Sequence, residues 1–370
     1  MGRWLLIIIS VLVCIPSLQV KAEENAEDPF AVSAEAGVLI EVESGRVLWE
    51  KDADSEKRIA SITKIMTAMI AIEHGDLDDS VEISANAVRT EGSSLYLQEG
   101  EKATLEDLLY GLMLRSGNDS AIAIAEHVGG SVDGFVYLMN EKANELGLES
   151  TVFANPHGLD DHEDHYSSAY DMAMIMQAAM QRDEFRDISG TEIHRAPNEN
   201  EDWERVWRNK NRLLTERYEY TTGGKTGYTD RARRTLVTSA EKDGMELIAV
   251  TLNAPSDWDD HVRMFEYGFD TFRMQMLIRQ GGLERSANEQ YEDFEVRRSV
   301  TYPLTESEYR RVLPRIKWSS EEEGPFAGNI QFQLDGDVIS EQPIYREGED
   351  ENEELSWWQR FTNSLRQIMG

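Results

Sequence analysis

Strand signals stand at two distant places in this chain, with helical periodicity between them. Val38-Leu39-Ile40-Glu41-Val42 and Arg46-Val47-Leu48-Trp49 flank Glu43-Ser44-Gly45, which is the pattern of a β-hairpin. Residues 223–229, 235–240 and 246–253 read as three more strands, the last two joined at Lys242-Asp243-Gly244. Between the two sets, Ile62, Ile65, Met66 and Met69 recur at helical spacing before Gly75. Thr104-Leu105-Glu106-Asp107 looks like a capping box ahead of an apolar face of Leu105, Leu108, Leu109 and Leu112. Further helices are expected from Ala121 toward Gly130 and over 171–180. A chain that opens a sheet, leaves it for helices and returns must close that sheet from both ends. Hairpin links then make it mainly antiparallel, so the expected class is α/β of the α+β kind, with a helical subdomain.

Three short motifs are threaded through this framework: Ser61-Ile62-Thr63-Lys64, Ser116-Gly117-Asn118 and Lys225-Thr226-Gly227. A Ser three residues before a Lys on a helix puts hydroxyl and amine on one face. At the start of a helix, backbone N–H groups and the dipole favour a developing oxyanion. Lys64 is flanked by Ile65 and Met66, and a partly desolvated lysine has a lowered pKa and acts as a base. Ser116 and Asn118, on a turn between helices, can relay a proton and hold a peptide. Lys225 and Thr226 on a strand can bind a carboxylate. Gly227, with Gly223 and Gly224 before it, leaves room for a substrate along the strand. Ser239-Ala240-Glu241-Lys242, Ser84-Ala85-Asn86 and Ser286-Ala287-Asn288 match the first two patterns by chance, whereas Lys-Thr-Gly occurs once. Order and context therefore select the set: Ser61 opens an apolar helix, while Ser239 falls in a strand.

The ends of the chain carry different signals. Residues 1–22 read as a secretory signal peptide: Arg3, an apolar stretch from Leu5 to Val13, and a small-residue cleavage site at Val20-Lys21-Ala22. An uncleaved anchor is the alternative. The only cysteine, Cys14, lies inside that stretch, so the exported chain would have no disulfide, no thiol nucleophile and no thiolate metal site. Export without disulfides suits a bacterial cell surface. The formal net charge of −33 makes nucleic acid an unsuitable partner and reads mainly as solubility in an external medium. A main domain is expected over 30–278 and a small β-rich one over 285–346, where Phe294 with Val296, Val300 with Tyr302, and Ile330 to Leu334 alternate like strands. Turns are expected there at Pro303 and at Asp335-Gly336. An acidic linker follows over 347–354. Residues 355–370 place Leu355, Trp358, Phe361, Leu365 and Ile368 on one helical face, which suits either a membrane surface or packing against the protein itself.

On these residues the chain resembles the low-molecular-mass penicillin-binding proteins of the D-alanyl-D-alanine carboxypeptidase group, the S11 serine peptidases. The resemblance runs over roughly 35–275 and includes Ala60 to Thr67, Arg115 to Ser120, Asn155-Pro156-His157-Gly158-Leu159 and Gly224 to Thr229. The stretch from Thr235 through Asn253-Ala254-Pro255 is similar to the sporulation-associated branch. The resemblance implies a penicillin-binding, β-lactamase-like transpeptidase fold. It implies Ser61 as acylated nucleophile, Lys64 as its base and Ser116 as proton relay. Asn118 would hold the peptide, Lys225 and Thr226 would bind the terminal carboxylate, Gly227 would border the substrate, and the N–H groups of Ser61 and Tyr228 would form the oxyanion hole. The implied partners are peptidoglycan stem peptides ending in D-Ala-D-Ala, with β-lactams as covalent inhibitors and no cofactor or metal. One departure is Ala232-Arg233-Arg234, where the family often has Ala-Gly.

Three other readings stay open on residues alone. A class A β-lactamase shares the motifs but adds a Glu-x-x-Leu-Asn run, which is missing between the second and third motifs here. A zinc peptidase would use His157, His162 and His165, although they do not form His-Glu-x-x-His. A membrane-bound wall-binding protein without activity would keep the scaffold and not the chemistry.

Overall fold

The computed structural model describes residues 30–198, 201–283, 294–320 and 324–346. The expected leader at 1–22, the linker at 347–354 and the amphipathic helix at 355–370 lie outside the described residues. The central sheet has five antiparallel strands, in the order Val47–Lys51, Ala36–Glu41, Met245–Leu252, Arg233–Lys242 and Thr221–Thr229. It is closed from both ends of the chain, as the strand signals require. The hairpin turn is held by buried Glu41, whose carboxylate accepts the N–H groups of Glu43 and Ser44 and the Ser44 hydroxyl.

Both faces of this sheet are covered, and the two-residue period of a strand sorts its side chains between two cores. Val38, Ile40, Val237, Ile248 and Val250 lie on the face covered by the helix Ala169–Ala179 and share one core with the helices Lys64–His74, Asn118–Gly129 and Val132–Glu145. Leu39, Leu236, Leu247 and Ala249 face Met264, Phe265 and Phe269 of the helix Asp257–Thr271. The strand Ala36–Glu41 is buried along its whole length for this reason.

Several expectations need correction. Ser61 does not open the α-helix; it sits in a 3-10 turn, Ala60–Thr63, and the helix starts at Lys64. Only half of the Thr104 capping box forms. The Thr104 hydroxyl accepts from the Asp107 N–H, but the Asp107 carboxylate is taken by His194 Nε2 at 2.6 Å. The helix expected from Ala121 begins at Asn118. The helices Val132–Glu145, Asp183–Gly190 and Asp257–Thr271 and the hairpin Ile193–Ala196/Arg205–Arg208 are additional to those expected.

Toward the C-terminus, a second antiparallel sheet of five strands includes Phe294–Val296, Leu313–Trp318, Phe326–Leu334 and Asp337–Arg346. Val296, Ala327, Ile330, Phe332 and Ile344 make its small core. Asp335-Gly336 is the turn between its last two strands, both residues at positive φ. Pro303 is not a turn: it lies within the strand Val300–Leu304, in a two-stranded ribbon with Arg273–Ile278. Both strands of such a ribbon are edges, where a missing N–H is tolerated.

Candidate active site

The Ser61 turn is fixed from three sides. Ala60 is left-handed at φ +49, a conformation an L-residue holds only when its surroundings enforce it. Thr235 Oγ1 donates to the Ile59 carbonyl at 2.9 Å, tying the turn to the central sheet. Thr63 Oγ1 donates to the Ala60 carbonyl at 2.8 Å and contacts His165 Nε2 at 2.8 Å. His165 Nδ1 accepts the Ala154 N–H, so the neutral ring carries its proton on Nε2 and donates to Thr63. Gly158 presses on the same turn, because a Cβ there would lie 1.9 Å from the Ala60 carbonyl oxygen.

Lys64 follows one turn on and is fully buried. Its Nζ lies 3.0 Å from Ser61 Oγ, 2.7 Å from Asn118 Oδ1 and 2.6 Å from the His157 carbonyl oxygen. Burial pushes its pKa well below the ordinary lysine value, and the charges of Lys225 and Lys210 push in the same direction. A neutral amine has two hydrogens and one lone pair. Asn118 and His157 take the hydrogens, which leaves the lone pair for the Ser61 hydroxyl. Asn118 is itself oriented, its Nδ2 donating to the Glu91 carbonyl at 2.7 Å.

Ser116 arrives by a different device. The helix Leu105–Tyr110 widens into a π-turn, Gly111–Arg115, and Ser116 ends it in the left-handed region at φ +66. Asn118 then opens the next helix, so the motif is one residue of loop between two helical ends. Asp119 is buried and accepts the N–H groups of Leu95 and Leu97 and the Ser94 hydroxyl, which fastens the 93–97 loop beside the motif.

Lys225, Thr226, Gly227 and Tyr228 lie on the edge strand Thr221–Thr229. Lys225 is buried and donates to the Thr226 carbonyl at 2.7 Å; burial and Lys210 bring its pKa down to about 7. Gly227 is needed for the approach of the nucleophile turn, since a Cβ there would stand 3.0 Å from the Ser61 nitrogen and 2.3 Å from Thr235 Oγ1. Gly223 and Gly224 do not serve a substrate as expected. A Cβ on Gly223 would meet Ser189 Oγ at 2.5 Å, and one on Gly224 would meet the Val237 carbonyl oxygen at 2.3 Å. Their role is packing within the protein.

Ser61, Ser116, Thr226, Gly227 and Tyr228 line one cleft of about 300 Å³. Ser93, Lys210, Arg234, Asp257 and Trp258 complete it, and none of these was among the expected site residues. Lys210 Nζ donates to Ser93 Oγ at 3.3 Å. Arg234 donates to Asp257 at 2.6 Å and lies over the Trp258 ring at 5.5 Å. The Arg at the departure noted above thus becomes part of the cleft wall. Lys210 and Lys225 give this cleft a positive field inside an acidic protein, which suits an anionic substrate end. A larger hollow of about 450 Å³ at Leu213 to Tyr220 is lined by none of the motif residues.

The three histidines of the zinc reading are separated by their work. His165 holds the Ser61 turn, His157 Nδ1 accepts the Leu159 N–H at 3.2 Å, and the His162 carbonyl accepts from Arg58. Burial lowers His157 and His165 to about 3, so both rings are neutral at ordinary pH. Among the described residues, no cluster of three or more His, Cys, Asp or Glu is placed to hold a metal ion.

Comparison with known proteins follows the same lines. A family model described as D-alanyl-D-alanine carboxypeptidase matches residues 21–256. The D-alanyl-D-alanine carboxypeptidase DacF of Bacillus subtilis is 32% identical over 360 residues, covering 92% of each chain. The Escherichia coli carboxypeptidase DacC is 32% identical over 357 residues, covering 87% of this chain and 85% of its own. Penicillin binding protein 5 of Haemophilus influenzae superposes with a TM-score of 0.73 at 26% identity, over 87% of this chain and 98% of that one.

Proposed function

Because the chain belongs to the D-alanyl-D-alanine carboxypeptidase family of serine peptidases, we propose that it removes the terminal D-alanine from peptidoglycan stem peptides through an acyl-enzyme on Ser61. The observation that carries this reading is the buried Lys64 amine, 3.0 Å from Ser61 Oγ with its other contacts already taken. Neutral Lys64 accepts the Ser61 proton as Oγ attacks the carbonyl of the penultimate residue. The oxyanion is received by the N–H groups of Ser61 and Tyr228. Ser116 passes a proton to the departing amine of D-alanine, and water then releases the shortened peptide from Ser61. Lys225 and Thr226 hold the terminal carboxylate, and Asn118 steadies the peptide backbone.

β-Lactams enter the same path and acylate Ser61. Asp119 is tied to the 93–97 loop and Asp257 to Arg234, so neither is free to activate a deacylating water. With the Glu-x-x-Leu-Asn run also missing between the second and third motifs, the penicilloyl ester is expected to turn over slowly, against the β-lactamase reading. Trimming removes donors for cross-linking and so tunes the density of the wall.

The reading extends to an exported chain with a signal peptide over 1–22, a catalytic domain over 30–278 and a β-rich domain over 285–346. A tail over 355–370 rests on the outer face of the membrane, behind an acidic linker over 347–354. Its support is the sequence pattern alone, and the similarity to the sporulation branch adds the spore cortex to the walls it would act on. The test is a mass measurement after penicillin treatment. One penicillin should add to a peptide containing Ser61, and Ser61→Ala should lose both that adduct and D-alanine release. Release of D-alanine by Ser61→Ala would overturn the assignment.

A further inference from the structure

Beside the catalytic cleft lies a second cavity, of about 350 Å³, that the chemistry above does not use. Tyr96, Gln98, Trp203, Arg205, Val206 and Trp207 are among its walls. Tyr96 is 84% exposed, Trp203 60% and Val206 52%, which makes an apolar patch on an otherwise strongly acidic protein. Tyr96 is also strained, standing in the left-handed region at φ +60. The cause is visible: Leu95 and Leu97 on either side both donate their N–H to buried Asp119, and the Tyr96 N–H donates to Ser94 Oγ at 2.8 Å. Such a conformation costs on the order of 1–3 kcal/mol and points to a role for the side chain it displays.

The opposite wall is equally held. The Glu101 carboxylate is buried, pairs with Arg205 and accepts the Gln98 N–H at 2.9 Å. Trp207 is buried against His194, which stacks on Tyr110 at 3.8 Å, so the hairpin carrying Trp203 and Val206 is fastened at its base. The cavity is therefore two exposed aromatic rings on a rigid polar floor. Aromatic faces carry partial negative charge and attract the C–H face of a pyranose ring, while amide and charged side chains at the edge bind hydroxyl and acetamido groups. An uncharged polymer also meets no repulsion from a chain of net charge −33. The loop itself joins the two sites: Ser93 lines the catalytic cleft, and Tyr96 is three residues on, at most roughly 10 Å of chain.

We propose that this cavity is a glycan subsite, in which Tyr96 and Trp203 stack on an N-acetylated pyranose ring of the strand that carries the stem peptide. The inference rests on the carboxypeptidase reading for its substrate. Full-length protein and the double variant Tyr96→Ala/Trp203→Ala are compared on a short D-Ala-D-Ala peptide and on the same peptide attached to a glycan oligomer. The variant should keep its kcat/KM on the short peptide and its rate of penicillin acylation. On the glycan-linked substrate it should lose about tenfold, through KM. An unchanged ratio between the two substrates would overturn the subsite. Saturation-transfer NMR with a tetramer of N-acetylglucosamine tests binding apart from catalysis: transfer should appear with the wild type and vanish in the variant. No transfer to the wild type also overturns it. If the wild type releases D-alanine from neither substrate, the carboxypeptidase reading fails by itself, and the NMR arm alone decides the cavity.

Discussion

Lys64 and Lys225 are both buried, both depressed, and needed in opposite protonation states. Lys64 acts as a base only when neutral, so acylation should rise with pH through its lowered pKa. Lys225 binds a carboxylate only when charged, and its pKa of about 7 should end the rise. A pH profile of kcat/KM is therefore expected to fall above about pH 7, and Lys225→Arg should carry the falling limb to higher pH. The same shifts bear on folding. A lysine whose folded pKa lies below its unfolded value leaves the unfolded chain holding the extra proton, so stability rises with pH across that window. For Lys225 the window runs from about 7 to the ordinary value of 10.5. Denaturant midpoints of the wild type and Lys225→Met should converge toward the upper end of it. Residue types foretold the shift of one of the two: Lys64 beside Ile65 and Met66 reads as desolvated from the sequence, whereas Lys225 reads there only as a carboxylate binder. The extent of burial, and the mutual repulsion through Lys210, were not readable there, because they arise between residues far apart in the chain.

At the scale of elements, the nucleophile turn depends on a loop that brings no catalytic side chain. Gly158, at φ +84, lies against Ala60, and the His157 carbonyl before it accepts from Lys64. Gly158→Ala should push this loop from the turn, with a cost of about 1–3 kcal/mol. Thermal unfolding would register the loss, and penicillin acylation should slow with it because Lys64 loses an acceptor. The strands and the helices under the motifs were legible because apolar periods of two and 3.6 survive in the sequence. The helix Asp257–Thr271 carries the signal too, with 261, 264, 265, 268 and 269 in one stripe. A glycine at 268 weakens the apolar count, and its reason is tertiary: a Cβ there would lie 2.5 Å from Leu247 Cδ1. Among the cleft residues not foreseen, Lys210 had a faint signal in the polar triplet Asn209-Lys210-Asn211. Arg234 had one in the departure at Ala232-Arg233-Arg234.

Across the whole molecule, one arginine joins the first hairpin to the C-terminal segment. Arg46 donates to the Pro303 carbonyl at 2.5 Å, pairs with Glu308 at 2.5 Å, and lies over the rings of Phe272 and Tyr302 at 5.3 and 5.5 Å. Arg46→Ala should cost about 2 kcal/mol at this junction. Limited proteolysis should then cut between the two sheets more readily, while D-alanine release stays near the wild-type rate. What the sequence determined by itself is the set of chemical groups and the period of the elements that carry them: a serine and lysine one turn apart, a lysine on a strand, a sheet closed from both ends. What only the tertiary structure decided is the state of those groups. The Lys64 amine is neutralised by burial and aimed by Asn118 and by a backbone carbonyl that any residue at 157 could supply. Backbone acceptors leave no mark on residue identity, and the full extent of desolvation is set by residues far apart in the chain, so both are complete only once it has folded.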